Sequence, residues 1–294
     1  MSGSRPGSPW LPAAPCTPRS CARGPAAGAS RGRAAARLVA GGLAVLAGVL
    51  LAPLTAPLGR TARERATRLW CRTVIRAFGV RLRVTGTAAT TGALVVANHV
   101  SWLDIPLVAA VLPGRMLAKS EVRHWPLLGP LAARGGTLFL ERDRLRALAG
   151  TVRDIARALA AGSRVVVFPE GSTWCGRAHG RFRPAAFQAA LDAGAAVQPV
   201  RVTYHPVGPA AFVGDDPLAA SLWRVAAAGG LTAEIRLLPP IPAGRHTDRR
   251  SLARAAQWAV HTAVASDSAN LPSSSVHQCA SSIPAAASSS RTPS

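Results

Sequence analysis

Lysine is nearly absent from this chain. Lys119 is the only one in 294 residues, so arginine carries almost all of the formal charge of +22. A chain rich in Arg, Ala and Gly but nearly free of lysine carries the mark of a GC-rich coding sequence. That discounts the charge as a sign of selection for a partner. What remains favours anionic company: a phospholipid surface, a phosphorylated substrate or nucleic acid. Aromatic side chains are scarce too, at 5%. There is no zinc-finger spacing and no aromatic block of the kind that stacks bases, which argues against nucleic acid. A generic basic nucleic-acid binder is kept only as the rival from another class.

Chemistry-bearing patterns are missing as well. The five cysteines, Cys16, Cys21, Cys71, Cys175 and Cys279, contain no CxxC pair. Their odd number and scattered spacing argue against a disulfide framework or a zinc site. No HExxH occurs, and Ser172 sits outside any G-x-S-x-G elbow, against a serine hydrolase. His124, His179, His205, His246, His261 and His277 do not cluster along the chain and read as surface or core residues. The expectation is therefore no metal, with the cysteines as bystanders in a reducing compartment.

What is present is apolar: 49% of residues are hydrophobic, ample for a core in one or two domains. Residues 1–36, rich in Pro, Ser, Gly and Arg, read as a disordered basic arm. "LVAGGLAVLAGVLLAPLTAPL" (38–58) is uncharged throughout and about long enough to cross a bilayer core. Arginines flank both of its ends, so charge does not choose an orientation, and a re-entrant or monotopic anchor kinked near Pro53 and Pro57 suits it. "RTARERATRLWCRTVIRAFG" then reads as an amphipathic interfacial helix whose basic side meets anionic headgroups, so that 37–78 form a membrane-anchoring unit. The alternative is an ordinary surface helix packed on the core.

From residue 79 to 264, short β-like runs alternate with helical ones. "RLRVTG", "ALVVANH", "RMLAK", "TLFL", "SRVVVFPEG", "AVQPVRV" and "AEIRLL" are the expected strands. Helices are expected over 142–162, ending at Gly162, and over 183–194 and 250–265. The alternation predicts an α/β domain with a mixed, largely parallel sheet flanked by helices. Residues 265–294, rich in Ser, Ala and Pro, read as a disordered tail.

Inside that domain, "VVANHVSWLDIPL" (95–107) puts His99 and Asp104 at the end of an apolar strand. Ser101 to Asp104 fits an S-x-x-D capping box, in which Asp104 merely closes a helix start. If the helix instead begins after His99, the imidazole can fold back onto the Asp104 carboxylate. Such a pair deprotonates an alcohol, and a carboxylate with two oxygens can do both jobs. "FPEGSTW" (168–174) follows the apolar run "RVVV", at the strand end where α/β folds place ligands. There Pro169 fixes a turn, Gly171 permits close approach and Glu170 offers an acceptor. "GGTLFLERDR" delivers Arg142, which can hold a phosphate or open the next helix as a surface charge.

Read in order, NH-x4-D, G-x-x-F-x-x-R (Gly136, Phe139, Arg142), FPEG (Phe168–Gly171) and V-x-P-V (197–200) resemble the glycerolipid acyltransferases typified by lysophosphatidic acid acyltransferase. "AKSEVRHWPLLG" (118–129) resembles the stretch that precedes the second block, and the likeness covers roughly residues 80–240. It implies an O-acyltransferase of phospholipid biosynthesis at the cytoplasmic face of the cell membrane. His99 would be the general base, with Asp104 orienting it. Arg142, with Lys119, would bind the acceptor's phosphate, while Gly136, Glu170, Gly171, Ser172 and Thr173 would line the acceptor site. The co-substrate would be an acyl thioester on coenzyme A or acyl carrier protein, with no cofactor and no nucleic-acid partner. Lysophosphatidate, acylated to phosphatidate, is the leading acceptor. One departure stands out: where the family carries a basic residue after the FPEG block, this chain has Thr173. Either Arg177, Arg181 or Arg183 replaces that charge, or the acceptor is a lysolipid without the phosphate, such as a lyso-ornithine lipid. A catalytically inactive lipid-binding relative is the remaining alternative.

Overall fold

The computed structural model describes residues 14–24, 28–89, 92–126, 128–141 and 145–263. The expected tail over 265–294 and the candidate residue Arg142 lie outside them. Strands β1 (Arg81–Gly86), β2 (Leu94–Ala97), β3 (Arg115–Lys119), β4 (Leu138–Leu140), β5 (Val165–Val167), β6 (Val197–His205) and β7 (Thr232–Leu237) form one sheet in the order β1-β7-β6-β2-β5-β3-β4. Every adjacent pair runs parallel except β6 with β7, which is antiparallel. The mixed, largely parallel sheet expected from the sequence is present.

The helices are α1 (Pro18–Cys21), α2 (Arg31–Leu51), α3 (Arg60–Ala77), α4 (Asp104–Val111), α5 (Leu128–Arg134), α6 (Leu145–Ala160), α7 (Ala185–Asp192), α8 (Val207–Ala210), α9 (Leu218–Ala227) and α10 (Arg249–Thr262). They cover both faces of the sheet, which is why the central strands are apolar without alternation. The four residues of β2 are all buried, yet they serve two cores. Val95 and Ala97 join a layer with α3, α4 and α9, while Leu94 and Val96 join one with α6, α7 and α10. The period-2 pleat sends neighbours to opposite faces. Helix α6 ends as its glycine predicts. Gly162 is left-handed (φ +74), its N–H donates to Leu159 O at 2.8 Å, and Ser163 N–H donates to Ala158 O at 2.9 Å. This is a Schellman closure.

The N-terminal region departs from expectation in two places. Residues 14–24 and 28–36 are not loose where described. Helix α1 packs against the body, and α2 starts at Arg31 with Ser30 Oγ accepting Arg33 N–H at 3.4 Å. Arg37 Nη1 donates to Ala226 O and Ala228 O at 2.9 and 2.7 Å, so it caps the carbonyl end of α9 and anchors the root of α2. The second departure is α3, expected to lay its apolar face into lipid. Cys71, Val74 and Ile75 are instead buried in the sheet's core. Trp70 Nε1 donates to Ala44 O of α2 at 2.8 Å. An apolar stripe already committed to protein cannot also enter a bilayer, and Leu69 is the large apolar residue of α3 left exposed.

Helix α2 fits the expected anchor. The stretch Arg31–Thr55 is long and apolar enough to cross a membrane, and it is mostly unburied. Val39, Leu43, Leu46, Leu50, Leu51 and Leu54 all stand exposed, a continuous apolar surface that water disfavours.

Candidate active site

β2 and β5 pair with Val96 opposite Val167, so His99 and Glu170 each sit three residues past matched positions at the carboxyl end of the sheet. β3 is parallel to β5 with Met116 opposite Val166, which brings Lys119, exposed at the end of β3, to the same edge. This is the end where open α/β sheets bind ligands. Asn98 extends the order of β2 past its last residue. Its Nδ2 donates to Val202 O (2.9 Å) and its Oδ1 accepts Val202 N–H (2.8 Å), so a side chain hooks the strand end onto β6 as a further ladder rung.

With the backbone fixed there, the His99 ring lies against Phe168, centroids 4.2 Å apart and planes at 19°. Its Nδ1 is 2.8 Å from Asp104 Oδ2. That oxygen also accepts Val100 N–H (2.6 Å) and Ser101 N–H (2.8 Å), while Tyr204 Oη donates to Oδ1. The Ser101 bond is half of the expected capping box, and Ser101 Oγ accepts Leu103 N–H at 3.2 Å. Capping and pairing with histidine are thus done by one carboxylate. The Asp104 side chain is 0% exposed and the His99 side chain 18%. A fully buried acceptor forces the proton onto Nδ1 and leaves the Nε2 lone pair free to take another. Burial and the Asp104 charge push the Tyr204 hydroxyl well above its usual range, so it acts as a fixed donor.

Glu170 takes a different place from the one expected. It is 2% exposed. Oε2 accepts His99 N–H at 2.8 Å and Oε1 accepts Gly180 N–H at 3.0 Å. Both oxygens are therefore engaged by main chain, and the side chain ties the His99 backbone to the loop after β5 instead of facing an acceptor. Trp174 N–H closes the tie by donating to His99 O at 2.7 Å. Gly171 (φ +74) ends the turn that Pro169 begins, its N–H donating to Phe168 O at 3.1 Å. Ser172 and Thr173 follow, partly buried. Gly136 (φ +72) closes the turn between α5 and β4, its carbonyl accepting Arg115 Nε at 2.7 Å.

Behind Glu170 lie two histidines that looked isolated in sequence. The His179 and His261 rings stack at 4.6 Å, and His261 Nε2 is 4.0 Å from Glu170 Oε1. Burial raises the Glu170 carboxyl to about 7, against its two backbone donors and with help from the Asp104 charge. Burial, then His261 and Arg201, lowers His179 to about 4. Burial and Arg201 lower His261 as well. Arg201 is itself buried, donating to Val260 O at 2.6 Å.

The expectation of no metal-ligand set rested on spacing along the chain, whereas the fold brings distant residues together. Among the described residues, two groups of three converge: Cys16, Cys21 and Cys175, and Glu170, His179 and His261. The second suits a cation poorly, because Glu170 already accepts two N–H groups and a buried guanidinium lies beside both imidazoles. Of the arginines suggested in place of a base at Thr173, Arg177 is exposed. Arg181 and Arg183 line an open pocket of about 250 Å3 with Arg250 and Arg254. Tyr204, Arg201 and the histidine pair escaped sequence reasoning, since none belongs to a local pattern around His99, while Asn98 stood in the NH-x4-D block without a role assigned to it.

A family profile, Acyltransferase, matches residues 81–203, the stretch holding His99, Asp104 and Glu170. The chain is 42% identical over 210 residues to a lyso-ornithine lipid O-acyltransferase of Pseudomonas aeruginosa, covering 69% of this chain and 79% of that protein. It is 34% identical over 211 residues to a 1-acyl-sn-glycerol-3-phosphate acyltransferase of Neisseria meningitidis, covering 70% and 83%. Among solved structures, the 1-acyl-sn-glycerophosphate acyltransferase of Thermotoga maritima shares the fold, with a TM-score of 0.59 at 19% identity over 81% of this chain and all of that one. The chain belongs to the acyltransferase family.

Proposed function

We propose that the protein transfers a fatty acyl group from an acyl thioester, on coenzyme A or acyl carrier protein, to the free hydroxyl of a lysolipid. The observation that carries this reading is the His99–Asp104 contact at 2.8 Å, made by Nδ1 of a partly exposed ring to a fully buried carboxylate. His99 Nε2 takes the hydroxyl proton as the oxygen attacks the thioester carbonyl. Asp104 stabilises the imidazolium, and the tetrahedral oxyanion collapses, expelling the thiolate, to which the imidazolium returns the proton. The thioester is already activated, so the scheme needs no cofactor. Glu170 acts through the backbone, fixing where His99 stands, while Lys119 and Arg142, with the loop at Gly171, Ser172 and Thr173, supply the acceptor side.

Lysophosphatidate is the acceptor that the motif order favours. Thr173, where the family carries a basic residue, favours the second reading, a lyso-ornithine lipid, and the 42% relative bears that name. The exposed apolar surface of α2 supports a membrane-bound enzyme, with its catalytic domain on the cytoplasmic face, where thioester donors reside.

The test is acyl transfer by membranes carrying the wild type or His99→Ala. Labelled acyl-coenzyme A and acyl carrier protein thioesters are offered against lysophosphatidate and lyso-ornithine lipid. Transfer that disappears with His99→Ala supports the mechanism, and the preferred acceptor decides between the two lipids. Transfer indifferent to His99, or none to any lysolipid, overturns it.

A further inference from the structure

Three cysteines from two distant stretches of the chain meet in space. Cys16 lies two residues before α1, Cys21 is its last residue, and Cys175 follows the FPEGSTW turn by one residue. Their exposures are 8%, 5% and 1%, and their Sγ atoms all lie within 4.8 Å of one another. Val213 completes the buried cluster, with Ala14, Trp174 and Ala178 packed against it.

The chain turns directly after Cys175, where Gly176 adopts a left-handed conformation (φ +77). Cys71 is the contrast. It is buried among hydrocarbon and its thiol is pushed up to about 12 by burial alone, which is what packing without chemistry looks like.

A soft divalent cation resolves the cluster. Zinc bound to thiolate at about 2.3 Å places tetrahedral sulfurs roughly 3.8 Å apart, so the three side chains need close in by no more than about 1 Å. Thiolate donors select zinc over magnesium or calcium. We propose that Cys16, Cys21 and Cys175 form a three-thiolate zinc site that pins the N-terminal segment to the loop holding His99 in place. Zn²⁺ binds as three thiols release three protons to solvent, leaving a complex of charge −1. Arg19, Arg23 and Arg177, all exposed, flank it in sequence. The coupling to the active-site loop is short, since Trp174, beside Cys175, is the residue whose N–H holds the His99 carbonyl.

The test uses the purified full-length protein in detergent, reduced and then loaded with Zn²⁺ or Co²⁺. One zinc per chain should survive gel filtration, and Co²⁺ should give an intense sulfur-to-metal charge-transfer band. Cys21→Ser and Cys175→Ser should abolish both, while Cys71→Ser should keep them. Because a serine variant can lose its fold, wild-type protein is also alkylated with N-ethylmaleimide. Zn²⁺ should slow labelling of Cys16, Cys21 and Cys175 at least tenfold and leave the other cysteines unchanged. Absence of the charge-transfer band, its survival in Cys175→Ser, unprotected labelling, or recovery of these cysteines as a disulfide in the isolated protein would overturn the proposal. None of these readouts requires acyl transfer.

Discussion

Glu170 and His179 titrate in opposite directions, and the stability of the protein should show it. Glu170 ionises at its ordinary 4.5 when unfolded and at about 7 when folded. Between these values the folded state binds more protons, so stability falls as pH rises. At about 1.4 kcal/mol per pH unit this amounts to about 3 kcal/mol. His179 protonates at 6.5 when unfolded and at about 4 when folded. Over that window the unfolded state binds more protons, so stability rises with pH by a similar amount, and His261 adds in the same direction. From pH 4.5 to 6.5 the Glu170 and His179 slopes oppose each other, and His261 tips the sum of the three toward a rise with pH.

Glu170→Gln removes one side of that balance. Its amide still accepts one of the two backbone N–H groups, so the fold survives with a constant penalty, while the histidine slope stands alone. The stability of wild type minus that of Glu170→Gln should therefore fall by about 3 kcal/mol between pH 4.5 and 7. In a chain of this size that is about 6–12 °C in relative melting temperature. The measurement is a series of urea or thermal unfolding curves in detergent at fixed pH values across the window. A difference that is flat with pH, or that grows as pH rises, refutes the placement of Glu170 as a buried carboxyl held off water.

Further outcomes follow from the same geometry. Asp104→Asn keeps an oxygen for Val100 and Ser101 but no charge for the imidazolium, so kcat should fall about 10²–10⁴-fold with KM little changed in steady-state transfer assays. Tyr204→Phe strips the Oδ1 of a fully buried carboxylate of its hydroxyl donor and should cost about 1–3 kcal/mol, measurable by thermal unfolding. Gly86→Ala would put a methyl 2.0 Å from Leu237 O at φ +82, and should destabilise the β1–β7 pairing enough to lower expression and melting temperature. Thr173→Arg should shift acceptor preference toward lysophosphatidate, read as the ratio of kcat/KM for the two lysolipids.

The strands were legible because each is a short apolar run closed by a punctuating residue. Gly86 ends β1, and Asn98 and His99 follow β2. β6 runs on to His205, beyond the "AVQPVRV" read from sequence, because Tyr204 is buried against Asp104 and resumes the burial that Thr203 interrupts. Helix α9 was not expected, since "LAASLWRVAA" carries no capping signal and earns its helicity from burial of Ser221, Val225 and Ala226. His99 with Asp104 was legible because the two lie five residues apart, inside one turn. Tyr204 is 100 residues from Asp104, and Cys175 is 154 from Cys21. Neither contact follows from local spacing, because parallel crossovers join distant segments at the same sheet edge.

The two buried carboxylates show how one physical device yields two roles. Each is surrounded by main-chain N–H donors, which is how a low-dielectric interior tolerates a carboxyl at all. Asp104 keeps one oxygen on the imidazole, so its charge reaches the atoms that would exchange a proton. Glu170 has given both oxygens to backbone, so its charge acts on the position of His99 and on the neighbouring His261, not on the atoms that would exchange a proton. A neutral glutamine can therefore substitute for much of what Glu170 does, whereas a neutral asparagine cannot replace Asp104. The order of the two losses, larger in rate for Asp104→Asn and larger in pH-dependent stability for Glu170→Gln, is the signature that separates a charge acting on chemistry from a charge acting on architecture.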